Sequence, residues 1–323
     1  MKNKIDIAIF GCEPDEAEIF NELSSEFGVT ILLIRDAVSE SNAKLADGCR
    51  CVSVNHKAEL SEAILLALKN TGVKYIGTRS IGFNHIDTQA AGQMGMAVGT
   101  AAYSPGSVAD YTIMLILMLL RGTKSIMRRA DRYCYTLNNF RGKELRDMTV
   151  GVVGTGRIGQ AVMERLQGFG CKVLAYDCTH KTGANYVPFC ELQRNSDIVT
   201  LHVPLTEDTY HMIGRDQING MKQGTLFINT SRGALVDTAA LAEALKAQKI
   251  GGAALDVLEG EEGIFYNDCK QRAIDHPFLP VLQEMPNVII TPHTAYYTER
   301  MLADTVRNMI VNCLNFERSL GNV

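Results

Sequence analysis

Hydrophobic positions in this chain fall into two series of short apolar runs, separated by stretches whose apolar residues recur with helical spacing. In the first hundred residues, Ile5–Phe10, Thr30–Ile34, Cys51–Val54 and Lys74–Gly77 read as strands. Between them, Asp15–Phe27 and Leu60–Lys69 repeat near every 3.6 residues and read as helices. Strands alternating with helices predict a parallel α/β sheet. The second series supplies six more candidate strands: Val150–Val153, Lys172–Tyr176, Ile198–His202, Thr225–Asn229, Ala253–Asp256 and Val288–Thr291. Helices are expected over Ile158–Gly168, Thr238–Gln248 and Thr298–Glu317. One long helix is expected from Pro105 to Arg129, with Pro105 pre-set for a first helical turn.

No low-complexity linker marks a boundary. The final helix lies beyond the last strand of the second series and is expected to return to the first domain. That gives a discontinuous domain of residues 1–103 plus 299–323 and a continuous one of residues 104–298. The chain's 323 residues suffice for two cores, and 46% hydrophobic with 21% charged residues is ordinary for a soluble globular protein. A net charge of -4 with interspersed signs gives no reason to expect nucleic acid or an anionic membrane as partner. The most apolar stretch, Ile113 to Leu120, is far short of the roughly 20 residues that cross a bilayer. Nine scattered cysteines without a CxxC pair favour neither a metal site nor a disulfide framework, and suit reduced thiols in a cytoplasmic protein.

The chemistry begins at Gly154-Thr155-Gly156-Arg157-Ile158-Gly159, directly after the strand Val150–Val153. A GxGxxG alone is weak, because glycine turns are common. Here it follows a strand, opens an amphipathic helix, and precedes a second strand that ends at Asp177, 18 residues beyond Gly159. An acid at that point can accept the ribose hydroxyls of NAD and would repel the 2′-phosphate of NADP. The blander alternative is a loop-solvating aspartate. His180 and Lys181 follow closely, which keeps some use of NADPH open.

Three further residues sit just past candidate strands. Arg232 follows Thr225–Asn229, Glu261 lies in Asp256-Val-Leu-Glu-Gly-Glu261, and His293 follows Val288–Thr291. Open α/β sheets bind ligands at the carboxyl ends of their strands. A guanidinium grips a carboxylate through two parallel hydrogen bonds, and imidazole beside a carboxylate is a tuned acid–base unit. Singly, the arginine reads as a surface ion pair, the glutamate as part of a solvated acidic run, and the histidine as structural. Together, beside a nicotinamide, they are what reversible reduction of a 2-oxo acid requires. His202-Val203-Pro204-Leu205 ends another strand and either lines the same edge or is simply a buried strand end. The Met and Leu stripe from Met114 to Met127 reads as core or subunit interface.

The chain resembles the D-isomer-specific 2-hydroxyacid dehydrogenases over essentially its whole length. Within them it is most similar to the D-lactate dehydrogenase group, which includes the enzymes of glycopeptide (vancomycin) resistance. The residues behind this are Thr78–Asp87, Ala102–Tyr111, Gly154–Gly159, Thr230–Thr238, Gly252–Glu262 and Thr291–Thr298, in matching order and spacing. The resemblance implies two Rossmann-like or flavodoxin-like parallel-sheet domains with an active site in the cleft between them. Residues 104–298 would bind NAD and residues 1–103 plus 299–323 the substrate. It implies Arg232, Glu261 and His293 as catalytic residues, with Ile81, Gly82, Tyr103, Arg232 and Tyr296 binding substrate. Cofactor contacts are implied for Gly154, Gly156, Arg157, Ile158, Gly159, Asp177, Val203, Pro204, Thr209, Thr230, Ser231 and Asp256. The family often carries Asn where Thr209 stands, and the resistance group commonly carries Gly where Ser231 stands. The implied activity is NADH-dependent reduction of pyruvate to D-lactate by a homodimer. Alternatives are a D-2-hydroxyisocaproate-type enzyme preferring bulkier 2-oxo acids and, from a different class, a non-catalytic NAD-sensing module.

Overall fold

The computed structural model describes residues 6–57, 59–137 and 141–321. The chain forms two compact units, Met1–Ser104 with Tyr297–Val323, and Pro105–Tyr296. Strands and helices are numbered in chain order.

The first unit holds β1 (Asp6–Ile9), β2 (Thr30–Leu33), β3 (Cys51–Val54), β4 (Tyr75–Thr78) and β5 (Ala97–Thr100) in a parallel sheet of order β2-β1-β3-β4-β5. Its helices are α1 (Pro14–Phe27), α2 (Glu62–Asn70), α3 (Thr88–Gln93) and the returning α11 (Glu299–Ser319). Alternate residues of β1 feed opposite cores. Ile7 and Ile9 join Phe20, Leu23, Met309 and Ile310 under α1 and α11. Ala8 and Phe10 join Leu65, Leu68 and Ile76 on the other face. Burial on both faces is why these strands read as continuous apolar runs. The expected strand from Ile5 begins at Asp6, and Ile5 lies outside the described residues.

The second unit holds β6 (Thr149–Val153), β7 (Lys172–Tyr176), β8 (Ile198–Leu201), β9 (Thr225–Asn229), β10 (Ile250–Leu255) and β11 (Val288–Ile290). The order is β11-β10-β9-β8-β6-β7, all parallel. Strand order reverses beside β6, which opens a crevice outside the carboxyl ends of β6 and β8. Helices α4 (Gly106–Arg121), α5 (Thr123–Ala130), α6 (Arg157–Gln167), α7 (Phe189–Asn195), α8 (Arg215–Gly220), α9 (Thr238–Lys246) and α10 (Leu279–Glu284) complete it.

The single helix expected over Pro105–Arg129 is instead two, bent by 70°. Gly122 adopts φ 60 and ends α4 in the left-handed conformation that glycine reaches without a Cβ clash. Apolar spacing runs on past that glycine because α4 is deeply buried through Ile113, Leu115, Ile116, Leu119 and Leu120. Helix α5 buries no residue and leaves Ile126 and Met127 exposed. Among the described residues no single helix is long and apolar enough to cross a membrane.

Candidate active site

The parallel second sheet gathers, on the edge formed by its strand carboxyl ends, nearly every residue that the sequence singled out in this unit. The glycine turn follows β6, Asp177 follows β7, and Val203 and Pro204 follow β8. Thr230, Ser231 and Arg232 follow β9, Asp256 follows β10, and His293 lies three residues past β11.

Two glycines of the turn are required by contact. A Cβ on Gly159 would lie 1.9 Å from the Gly154 carbonyl oxygen, so α6 packs directly onto the turn. Gly154 itself has φ +92, and a Cβ there would meet the His202 carbonyl at 2.4 Å. Nothing lies within 4 Å of a Cβ on Gly156, the N-cap of α6. The turn therefore offers an open backbone cradle at a helix N-terminus, a fit for a pyrophosphate.

Asp177 is fixed above that cradle. Its Oδ2 accepts from the Thr155 N–H at 2.6 Å and the Thr155 hydroxyl at 3.0 Å, and its Oδ1 accepts from the Thr179 N–H at 2.9 Å. Burial alone would raise this carboxyl, but those hydrogen bonds outweigh it and hold it below the usual carboxylate range. The Thr155 hydroxyl also meets the Tyr186 hydroxyl at 2.8 Å, and Lys181 Nζ donates to the Thr155 carbonyl at 2.9 Å. An acid and a lysine thus share one turn. Thr155, Tyr186 and the Lys181 contact had no signal in the sequence pattern.

The β9 loop is pinned from both sides. The Ser231 hydroxyl donates to the Leu201 carbonyl at 2.8 Å, and Asn229 Nδ2 donates to the Arg232 carbonyl at 2.8 Å. The Thr230 hydroxyl meets the Thr112 hydroxyl at 3.0 Å. A Cβ on Gly233 would lie 2.1 Å from the Leu258 carbonyl carbon, so only glycine lets this loop lie against the segment carrying Glu261. Thr209, standing where the family often has Asn, accepts from the Thr206 N–H and donates to the Pro204 carbonyl, both at 2.8 Å. Its hydroxyl braces the Pro204 turn.

Glu261 and His293 form the shortest acid–base contact of the site. Glu261 Oε1 lies 2.6 Å from His293 Nδ1, while Oε2 accepts from the Leu258 N–H at 2.6 Å. Their side chains are 15% and 19% exposed, so solvent screening is reduced. His293 has φ 54, a left-handed backbone that costs a non-glycine residue roughly 1–3 kcal/mol. Its N–H donates to the Asp256 carbonyl at 2.7 Å, and its carbonyl accepts from the Tyr266 hydroxyl at 2.8 Å. Burial, then the neighbouring Tyr296, Glu261 and Asp256, push the Tyr266 phenol well above its ordinary range, keeping it a donor.

The family resemblance implies Asp256 as a cofactor contact. Its fully buried carboxylate accepts from the Thr291 hydroxyl at 2.6 Å and from the Thr294 and Ala295 N–H groups at 2.9 Å. It carries the His293 loop. The Tyr296 ring stands edge-on to the imidazole with centroids 6.0 Å apart. His202, also at this edge, is pushed down to about 3 by burial and stays neutral at working pH. It lacks the extra proton of an imidazolium.

In the first unit, Ile81 and Gly82 lie in the loop leaving β4, and Tyr103 lies three residues past β5. The Thr78 hydroxyl meets Ser80 Oγ at 2.7 Å, and Ser80 Oγ donates to the Gly82 carbonyl at 2.6 Å. Among the described residues the N–H groups of Ile81 and Gly82 donate to nothing.

Sheet order and the glycine cradle define a dinucleotide-binding unit. The family described as D-isomer specific 2-hydroxyacid dehydrogenase, NAD binding domain, matches residues 113–295. A D-specific alpha-keto acid dehydrogenase of Enterococcus faecalis is 62% identical over 320 residues, covering 99% of each chain. The structure of a D-2-hydroxyisocaproate dehydrogenase superposes with a TM-score of 0.88 at 32% identity, covering 97% of this chain and 96% of that one. A D-lactate dehydrogenase from Treponema pallidum also gives a TM-score of 0.88, at 28% identity and covering 98% and 97%. The chain belongs to the D-isomer-specific 2-hydroxyacid dehydrogenases, and it is an NAD-dependent enzyme.

Proposed function

We propose that this enzyme reduces short 2-oxo acids, pyruvate foremost, to the D-2-hydroxy acid with Arg232, Glu261 and His293 as its catalytic set. The observation that carries the reading is the 2.6 Å Glu261–His293 contact on the sheet edge that also bears Arg232. When bound, NADH supplies the hydride that the keto carbon receives. Arg232 grips the substrate carboxylate through its planar fork and draws charge from the keto oxygen. His293 gives that oxygen a proton from the ring nitrogen opposite the Glu261 bond, and Glu261 stabilises the protonated ring. Oxidation of the hydroxy acid runs the same proton back to His293. The N–H groups of Ile81 and Gly82 receive the substrate carboxylate, Tyr103 lines its site, and Tyr296 crowds the side-chain pocket. The Gly154–Gly159 turn, with Arg157 and Ile158, cradles the pyrophosphate, and Asp177 accepts from the ribose. Val203, Pro204, Thr209, Thr230 and Ser231 line the cofactor.

The second reading, a preference for bulkier 2-oxo acids, is favoured by the close superposition on a D-2-hydroxyisocaproate dehydrogenase. Steady-state kinetics over pyruvate, 2-oxobutyrate, 2-ketoisocaproate and phenylpyruvate, with NADH and NADPH, decides between them. Highest kcat/KM with pyruvate supports the first reading, and a clear preference for the larger acids replaces it. The proposal includes a homodimer. Exposed Ile126, Met127, Tyr133, Tyr135 and Leu137 crowd one short segment, the kind of apolar patch that a second copy would cover. A cytoplasmic location suits the nine free thiols.

A further inference from the structure

Arg79 immediately precedes the loop Ser80–Gly82 and is 5% exposed, an unusual setting for a guanidinium. Its Nε donates to Glu16 Oε1 at 2.9 Å and its Nη2 to Glu16 Oε2 at 3.2 Å. Nη1 donates to Ser53 Oγ at 2.9 Å, and Nη2 also reaches the carbonyls of Phe10 at 3.0 Å and Gly11 at 2.9 Å. One side chain thus ties the end of β4 to the ends of β1 and β3 and to the first turn of α1. A buried ion pair is weak evidence for stability, because desolvating two charges offsets most of their attraction. What such a fork does supply is fixed geometry.

We propose that the Arg79–Glu16 pair is a positioning device for the substrate, setting where the N–H groups of Ile81 and Gly82 point toward the carboxylate of the 2-oxo acid. The inference rests on the proposed role of that loop. Arg79 holds the loop from its base, and its own N–H donates to the Val54 carbonyl at 2.8 Å. The Thr78–Ser80–Gly82 relay holds the loop from its inner side. With both supports the two N–H donors keep one orientation. Lysine cannot replace the fork, since its single ammonium cannot reach four acceptor groups in their planar arrangement.

The experiment measures KM for pyruvate, kcat, the dissociation constant of NADH and the melting temperature for Arg79→Lys, Glu16→Gln and Gly82→Pro. Arg79→Lys is expected to raise KM at least about tenfold while kcat stays within about threefold, the signature of lost carboxylate binding. NADH binding should be unchanged, because the cofactor residues belong to the other unit. Gly82→Pro removes one N–H donor and should raise KM in the same way. A lower melting temperature with unchanged KM in Arg79→Lys overturns the proposal and leaves the pair a structural one. If Gly82→Pro also keeps wild-type KM, the loop reading fails as well, and separately. Should Arg79→Lys not fold, Glu16→Gln carries the test. It keeps the side-chain shape and removes the charge, and a KM that does not rise in it overturns the proposal.

Discussion

Two glutamates of one turn each hold a histidine, and only one of the two pairs is proposed for catalysis. Glu261 meets His293 at 2.6 Å, and Glu259 meets His211 at 2.7 Å. The second pair is about one-third exposed on both side chains. Glu259 also accepts from the Tyr210 hydroxyl, and its carbonyl meets His276 Nε2 at 2.7 Å. It fastens the turn to its surroundings. Glu261 has its second oxygen braced by the Leu258 N–H at 2.6 Å, and its histidine lies three residues past β11, while both histidines share a left-handed backbone, φ 54 at His293 and φ 49 at His211. The same pair of residue types is a clasp in one place and the proposed acid–base unit in the other. Burial and position relative to the end of β11 separate them.

The largest expected effect concerns Arg232, the proposed grip on the substrate carboxylate. Arg232→Lys should lower kcat/KM for pyruvate at least about 10²-fold, about 2.7 kcal/mol, because a point charge cannot grip a carboxylate bidentately. Near-normal kinetics would mean another cation holds the substrate. At the ribose end, wild type should favour NADH over NADPH at least about tenfold in kcat/KM. Asp177→Ser should narrow that ratio. Because Asp177 is held below the usual carboxylate range, it stays ionised throughout neutral pH, and the preference should not fade between pH 6 and 8 (about two units above an ordinary Asp). Equal use of both cofactors by wild type would show Lys181 outweighing the acid.

Glu261→Gln removes the carboxylate that holds the His293 ring at 2.6 Å, and kcat/KM for pyruvate should fall at least about tenfold, about 1.4 kcal/mol. Glu259→Gln should leave kcat/KM within about threefold and reduce stability by about 0.5–1.5 kcal/mol, a typical hydrogen-bond loss. If both variants lower kcat/KM equally, the distinction between the pairs collapses. Smallest of all, Gly122→Ala should cost about 1 kcal/mol by placing a Cβ at φ 60, read as a lowered melting temperature with unchanged kinetics.

Strands with a continuous apolar run were legible in the sequence. Cys51–Val54 and Thr225–Asn229, inside their sheets, and Lys172–Tyr176, at an edge, have the bounds their apolar runs suggest. Strand β5, Ala97–Thr100, was missed because its run holds only Val98 as a branched apolar residue, is partly exposed and is interrupted by Gly99. The short helices α3, α7, α8 and α10 span six or seven residues, too few for a 3.6-residue period to declare itself. Strand-end residues such as Arg232 and His293 could be located because parallel sheets put every carboxyl end on one edge. Tyr266, the Thr155–Asp177 bonds and the Asp256 brace could not, since each joins segments 22 to 39 residues apart with no pattern linking them.

The most direct test of the difference between the pairs is single-turnover reduction of pyruvate by His293→Ala and His211→Ala, each saturated with NADH. Loss of the proton donor should slow the chemical step of His293→Ala at least about 10²-fold, while His211→Ala stays within about threefold of wild type. NADH binding should be retained by both variants. A His293→Ala enzyme that turns over at the wild-type rate, or a His211→Ala enzyme slowed as much as its counterpart, would contradict the account.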